Sequence, residues 1–169
     1  SMEKCIEIAV NAESGIWAIR YPKGSQDMEG LFRKEEFVYT DDDFSSSGSV
    51  VIVTYGRIFK QALLARDELS LKGIKSSVLV LEKLTPFSDT VRIIKKYCAD
   101  AKKLIIVEES MESGSFGQNV LSLLNMDDSF NTSLSHLAIK GDVPGHARLE
   151  TLYAECGISA KDIIQEAEK

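Results

Sequence analysis

The sequence predicts an α/β fold of three layers, in which helices cover both faces of a mostly parallel β-sheet. The first observation is that, from residue 49 onward, short apolar runs alternate with segments of helical periodicity. Such alternation is typical of parallel strands joined by right-handed helical crossovers. The second observation is that the apolar runs are continuous rather than alternating, which predicts strands buried on both faces. Together they favour a sheet between two helical layers.

The first part of the chain lies outside this alternation. Residues 3–12 place apolar side chains at helical spacing and predict a short helix. Residues 16–21, with the sequence IWAIRY, predict a strand. Residues 25–48 are polar and predict a linker, which can include a short strand at residues 36–40. The acidic run at residues 41–43 within it is interpreted as a solvated loop, because no spaced ligand pattern accompanies it.

The rest of the chain supplies the regular elements. Strands are predicted over four apolar segments, 49–54, 74–81, 103–108 and 133–139. Helices are predicted over 57–72, from Ser88 or Asp89 to about 99, from the Gly114–Gly117 turn to about 125, near 147–156, and over 160–168. Ser159, followed three residues later by Asp162, predicts a capping box for the last helix.

The domain organisation follows from this pattern. Residues 49–169 amount to about 120 residues, which is long enough for a hydrophobic core of its own. Because the strand predicted at 16–21 does not fit the alternation, we expect it to be the end of a different domain. The opening Ser1-Met2 resembles the remnant of a cleaved tag, so the chain is expected to be part of a longer protein.

Composition excludes several classes of function. The formal net charge of −6 argues against a nucleic-acid-binding protein, which needs a basic face. No apolar run approaches ~20 residues, and no basic region precedes an apolar one at the N-terminus, so neither a membrane span nor a secretory signal is expected. Three widely spaced cysteines, without a C-x-x-C motif, indicate reduced thiols in a cytoplasmic protein.

Ligands of open α/β sheets bind at the carboxyl ends of the strands, and that is where candidate site residues are sought. The sequence contains neither a G-x-G-x-x-G fingerprint nor a phosphate-binding P-loop. Gly114 and Gly117 open a helix whose N-terminus can hold an anion; the alternative is simply a tight loop.

Two acidic residues and two histidines are the next candidates. Glu108 and Glu109 follow a buried strand, and adjacent strand residues face opposite ways, so they do not form a facing acid–base pair. They either anchor a domain contact or a partner loop, or they are a solvated strand end. His136 lies mid-strand and is expected to be a core or half-exposed histidine rather than a ligand. His146 follows Pro144-Gly145 in a loop and is better placed to reach a ligand or partner.

Arg20 is the most suggestive single residue. It lies at the end of the predicted strand 16–21, next to Tyr21, which is a further candidate contact. A guanidinium in that place suits the bidentate capture of a phosphate or a carboxylate, and the alternative is a surface salt bridge.

Several motifs, in order along the chain, carry a family resemblance. They are AIRYPKG at 18–24, VIVTYG at 51–56, VLVLEKLTPFSD at 78–89, LIIVEESMESGSFGQNV at 104–120 and VPGHARLETLYAECGISAKDI at 143–163. With them the sequence resembles the 1-deoxy-D-xylulose-5-phosphate synthases, a transketolase-like family that depends on thiamine diphosphate. The R-Y-P-K-G and V-E-E-S…G-S-F-G pieces are specific to that resemblance. The others are shared with transketolases and with the beta subunits of 2-oxoacid dehydrogenases.

The resemblance implies a division of labour. Residues 1–24 would be the last helix and strand of the pyrimidine-binding domain, 25–48 a linker, and 49–169 the C-terminal domain. The full-length enzyme would join pyruvate to glyceraldehyde 3-phosphate, with loss of carbon dioxide, and so feed isoprenoid, thiamine and pyridoxal biosynthesis. Thiamine diphosphate, with Mg²⁺ on its diphosphate, would carry the chemistry, and the residues that bind both would precede residue 3.

In this resemblance Arg20 holds the phosphate of the aldehyde substrate, and the chain itself supplies no catalytic, cofactor-binding or metal-binding residue. The remaining domains of the same enzyme, in a cytoplasmic homodimer, are the implied partners. Two alternatives stay open. One is the C-terminal domain of a transketolase or of a dehydrogenase beta subunit, and the other is a stand-alone binding or dimerisation module without catalytic activity.

Overall fold

A computed structural model describes residues 2–21, 31–35 and 37–169. Within these residues the strands are β1 (Phe32–Glu35), β2 (Val38–Thr40), β3 (Val50–Thr54), β4 (Ser76–Leu81), β5 (Lys103–Met111) and β6 (Ser133–Ile139). The α-helices are α1 (Met2–Val10), α2 (Phe59–Leu71), α3 (Phe87–Cys98), α4 (Phe116–Asn125), α5 (Leu149–Glu155) and α6 (Ala160–Ala167). A short 3₁₀ turn, Gly56–Ile58, precedes α2.

The strands form one sheet in the order β1-β2-β4-β3-β5-β6. The four strands β3 to β6 are parallel to one another, whereas β2 runs antiparallel to both of its neighbours, β1 and β4. Helices cover both faces of the sheet, which confirms the predicted three-layer α/β fold with a mostly parallel sheet. The register aligns Thr54 with Val107 on β5, and Ile106 on β5 with His136 on β6.

Each face of the sheet has its own hydrophobic core, which explains why the strands are apolar without interruption. Along β3, Ile52 packs into the core under α2, α5 and α6, whereas Val51 and Val53 pack into the core under α3 and α4. All three side chains are completely buried. Full burial of each such side chain contributes about 1.5–3 kcal/mol, so the central strand stabilises both layers at once.

The strand predicted over residues 16–21 is not formed. Ile16, Trp17 and Tyr21 are exposed there, and the segment follows α1 in an irregular conformation. Local sequence favours an extended backbone, but a strand also needs a neighbour to pair its N–H and C=O groups. Within the described part of the chain no strand lies beside residues 16–21. Helix α1, also without buried residues, matches the predicted helix.

The segment predicted as a linker contributes to the sheet where the structure describes it. Residues 25–30 lie outside the described residues, but β1 and β2 form an antiparallel pair against the edge of β4. The acidic run is also not fully solvated. Asp41 is buried and accepts hydrogen bonds from the Val78 N–H and from Arg66, both at 3.3 Å. Its pKa is raised, because burial outweighs these contacts.

Two predicted boundaries shift. Helix α3 begins at Phe87 with Pro86 in the N-cap position, so the expected cap at Ser88 or Asp89 is wrong; Asp89 instead pairs with Lys83 at 3.0 Å. Strand β5 continues to Met111, three residues beyond its predicted end.

The capping box predicted for α6 is confirmed. The Asp162 carboxylate accepts the Ser159 backbone N–H at 2.9 Å, which satisfies a donor that the first helical turn cannot pair.

Candidate functional site at the carboxyl edge of the sheet

The sheet has a topological switch point between β3 and β5. From β3 the chain crosses to β4 on one side, and it then returns to β5 on the other side. Open α/β sheets bind ligands in the crevice outside the carboxyl ends of two such strands. Here Tyr55 and Arg57 follow β3, and Glu108 and Glu109 lie near the end of β5.

Glu108 is the centre of this edge, and its side chain is completely buried. Its Oε2 accepts hydrogen bonds from the Tyr55 hydroxyl at 2.7 Å and from the Ser110 hydroxyl at 2.9 Å. Its Oε1 accepts the Gly117 backbone N–H at 2.8 Å and lies 2.6 Å from His136 Nε2. An ionised carboxylate has about four acceptor positions, so these four partners satisfy it.

The partners keep Glu108 ionised. Burial by itself raises the pKa of the carboxyl, but the hydrogen bonds from His136, Tyr55 and the Gly117 N–H oppose it, and the pKa is lowered to about 2. Because a carboxylate only accepts hydrogen bonds, Nε2 of His136 carries the proton between the two groups. Glu108 is therefore a buried anion, and it accepts hydrogen bonds from donors on several elements.

The sequence builds this cluster through strand register and one glycine. Ile106 pairs with His136 across β5 and β6, and Glu108 is two residues beyond Ile106, so Glu108 and His136 share a face of the sheet. Gly117 lies in the first turn of α4. A Cβ at that position would lie 2.4 Å from His136 Nε2 and 2.6 Å from Glu108 Oε1, so a side chain there would clash with the cluster.

Glu109 faces the opposite side of the sheet and forms a second cluster. The Arg57 guanidinium binds its carboxylate in a bidentate manner, with Nε 2.9 Å from Oε2, and the Tyr153 hydroxyl donates to Oε2 at 3.0 Å. Burial raises the pKa of Glu109, but the hydrogen bonds from Arg57 and Tyr153 lower it further than burial raises it. Each of the two carboxylates is therefore bound by partners from the same chain, Glu108 on one face of the sheet and Glu109 on the other.

Glu108 and Glu109 do face opposite ways, and internal partners hold them, so they do not form a solvated strand end. Their contact with another domain or with a partner loop stays a prediction. The start of α4 does hold an anion, and that anion is the Glu108 carboxylate. The sequence predicts a core or half-exposed histidine at His136 and does not predict its contact with Glu108. The signal lies in the register, because His136 on β6 pairs with Ile106 of β5, two residues before Glu108.

The remaining candidates are Arg20, Tyr21 and His146. Arg20 is exposed. Burial and Glu108 raise the pKa of Tyr55, and the positive charge of Arg20 opposes that rise slightly. Tyr21 is exposed, and His146 is exposed in the loop between β6 and α5. The binding roles of Arg20, Tyr21 and His146 stay predictions.

The chain is similar to curated proteins named 1-deoxy-D-xylulose-5-phosphate synthase. The one from Clostridium acetobutylicum is 28% identical over 138 residues, covering 80% of this chain and 22% of that protein. The one from Clostridium tetani is 24% identical over 172 residues, covering 99% of this chain and 26% of that protein. The chain thus spans about a quarter of the length of these relatives.

A solved structure and a family model agree on the fold. The structure described as a split gene transketolase, in an inactive beta4 tetramer, has a TM-score of 0.61 and 22% identity, and the match covers 72% of this chain and 39% of that one. The family model described as "Transketolase, C-terminal domain" matches residues 45–163, which is well over half of the chain. The chain therefore belongs to the transketolase C-terminal domain family.

Proposed function

We propose that this chain is the C-terminal part of a synthase that condenses pyruvate with glyceraldehyde 3-phosphate to 1-deoxy-D-xylulose 5-phosphate. The observation that carries the proposal is the extent of the similarity to synthases. The family match begins at residue 45, whereas the alignment to the Clostridium tetani synthase covers 99% of the chain. It therefore takes in the earlier segment with Arg20, where the specific A-I-R-Y-P-K-G motif lies.

The described residues do not fit thiamine diphosphate or Mg²⁺. Among them, no group of three or more His, Cys, Asp or Glu side chains could hold a metal ion. At the sheet edge, Glu108 and Glu109 already occupy the donors that an anionic cofactor would need. In the proposal, both groups bind in the portion of the synthases that this chain does not span, and no chemical step is assigned to the chain.

The proposed contribution of the chain is support and substrate positioning. The Arg20 guanidinium would bind the phosphate of the aldehyde by two parallel, charge-assisted hydrogen bonds and so orient it towards the cofactor. The domain formed by residues 49–169 would stabilise the active-site domain and the homodimer in the cytoplasm. No helix in the described ranges has both the length and the apolar character needed to cross a membrane.

A direct assay separates this proposal from catalysis by the chain itself. The purified chain is incubated with pyruvate, glyceraldehyde 3-phosphate, thiamine diphosphate and Mg²⁺, beside a full-length synthase that includes it. We expect 1-deoxy-D-xylulose 5-phosphate from the full-length protein only, because Arg20 and a support domain cannot stabilise the carbanion. Measurable product from the chain alone would contradict the proposed division of labour.

A further inference from the structure

We propose that the groups around Glu108 form a preorganised carboxylate-binding site, which Glu108 fills as an internal ligand. Once the Glu108 carboxylate is removed, the same groups should bind a small free carboxylate such as formate. The inference concerns the chain itself and does not depend on the proposed enzyme activity.

The geometry of the donors is that of a binding site rather than of a chance contact. Four of them converge on two oxygen atoms, at distances of 2.6 to 2.9 Å, and they come from the end of β3, from β5, from the first turn of α4 and from β6. A planar carboxylate with two acceptor oxygens matches this arrangement. The site lies at the switch point, where open α/β sheets take up their ligands.

The elements that carry the donors are held in place by contacts that do not involve Glu108. The Tyr55 ring packs edge-on against Phe116, with 5.3 Å between the ring centroids. The backbone of Gly117 is fixed in α4, and the N-cap Ser115 accepts the Gln118 N–H at 3.2 Å. Ser110 lies on β5, and His136 lies on β6, whose pairing with β5 fixes the backbone that carries it. Removing the carboxylate should therefore leave the donors oriented towards an empty space.

An internal ligand has a consequence for what this edge does. Because the carboxylate belongs to the chain, it links the turn after β3 to the first turn of α4. In this domain the Glu108 side chain fills the crevice that serves as a ligand site in other sheets of this kind. With Glu108 in place, the domain is expected to bind no small anion at the switch point.

Thermal unfolding of Glu108→Ala in increasing sodium formate tests the inference. Formate is the probe because it supplies the missing carboxylate group within the space that the substitution opens. We expect its Tm to rise with formate and to level off as the site fills, because a ligand that binds only the folded state stabilises it. A tenfold shift of the folding equilibrium constant towards the folded state would raise the Tm of a domain of this size by roughly 3–6 °C.

The unaltered chain and Glu108→Gln, which both keep the space filled, serve as controls in the same formate series. Neither of them should show the saturable rise. A formate response of Glu108→Ala no larger than that of these controls would overturn the inference. If Glu108→Ala is recovered unfolded, the readout is its refolding in formate, and failure to refold there would overturn the inference equally.

Discussion

Gly117→Ala is expected to lower the free energy of unfolding by about 3 kcal/mol. The added Cβ would lie 2.4 Å from His136 Nε2 and 2.6 Å from Glu108 Oε1, well inside contact distance. Relief of that clash must move the start of α4 or break the hydrogen bond from the Gly117 N–H to the buried carboxylate. Alanine gains about 1 kcal/mol in helix propensity over glycine, which is too little to compensate.

Urea unfolding measures this effect, with Gly145→Ala as the matched control. A Cβ at Gly145 meets nothing within 4 Å, so that variant should differ from the unaltered chain by no more than about 0.5 kcal/mol. Equal stability of the two variants would show that the Glu108 cluster does not constrain the start of α4. A native-like stability of Gly117→Ala would contradict the close approach of the three groups.

The second large effect concerns catalysis by the full-length synthase. Arg20→Ala is expected to raise the KM for glyceraldehyde 3-phosphate by about 10- to 100-fold and to leave the KM for pyruvate unchanged. The reason is that hydrogen bonds from a guanidinium to a phosphate are charge-assisted and contribute about 1.5–3 kcal/mol, and only the aldehyde carries a phosphate. Steady-state kinetics with each substrate varied in turn measures the two constants.

Arg57→Ala is the matched control for Arg20→Ala. Its guanidinium follows β3 and is bound to Glu109, so its loss should leave the KM for the aldehyde nearly unchanged. Arg20→Lys keeps the charge but not the two-pronged geometry, and it should fall between the unaltered enzyme and Arg20→Ala. An unchanged KM for glyceraldehyde 3-phosphate in Arg20→Ala would refute the phosphate-binding role.

The central sheet was predictable because its strands are apolar on both faces. Val51, Ile52 and Val53 are apolar and β-branched in succession, which favours a strand between two helical layers. The errors arose where pairing decides the structure. Residues 16–21 have the composition of a strand, but no strand in the described ranges pairs with them, whereas the polar segment Phe32–Glu35 is a strand because it pairs with β2.

The candidate site was predictable only in part. Strand alternation was enough to separate Glu108 from Glu109, because it is a local property. The cluster around Glu108 joins residues that are far apart in the chain. Tyr55 is separated from it by 53 positions and His136 by 28, and only the strand order and register bring them together. A single sequence does not contain that information in any local pattern.

Identification of the product made by a full-length synthase that includes this chain is the sharpest test of the proposed function. The protein is supplied with thiamine diphosphate, Mg²⁺, pyruvate and glyceraldehyde 3-phosphate, and in a parallel reaction with a ketose phosphate and an aldose phosphate. We expect 1-deoxy-D-xylulose 5-phosphate from the first pair and no two-carbon transfer between the sugars. Two-carbon transfer without 1-deoxy-D-xylulose 5-phosphate would contradict it and would assign the chain to a transketolase.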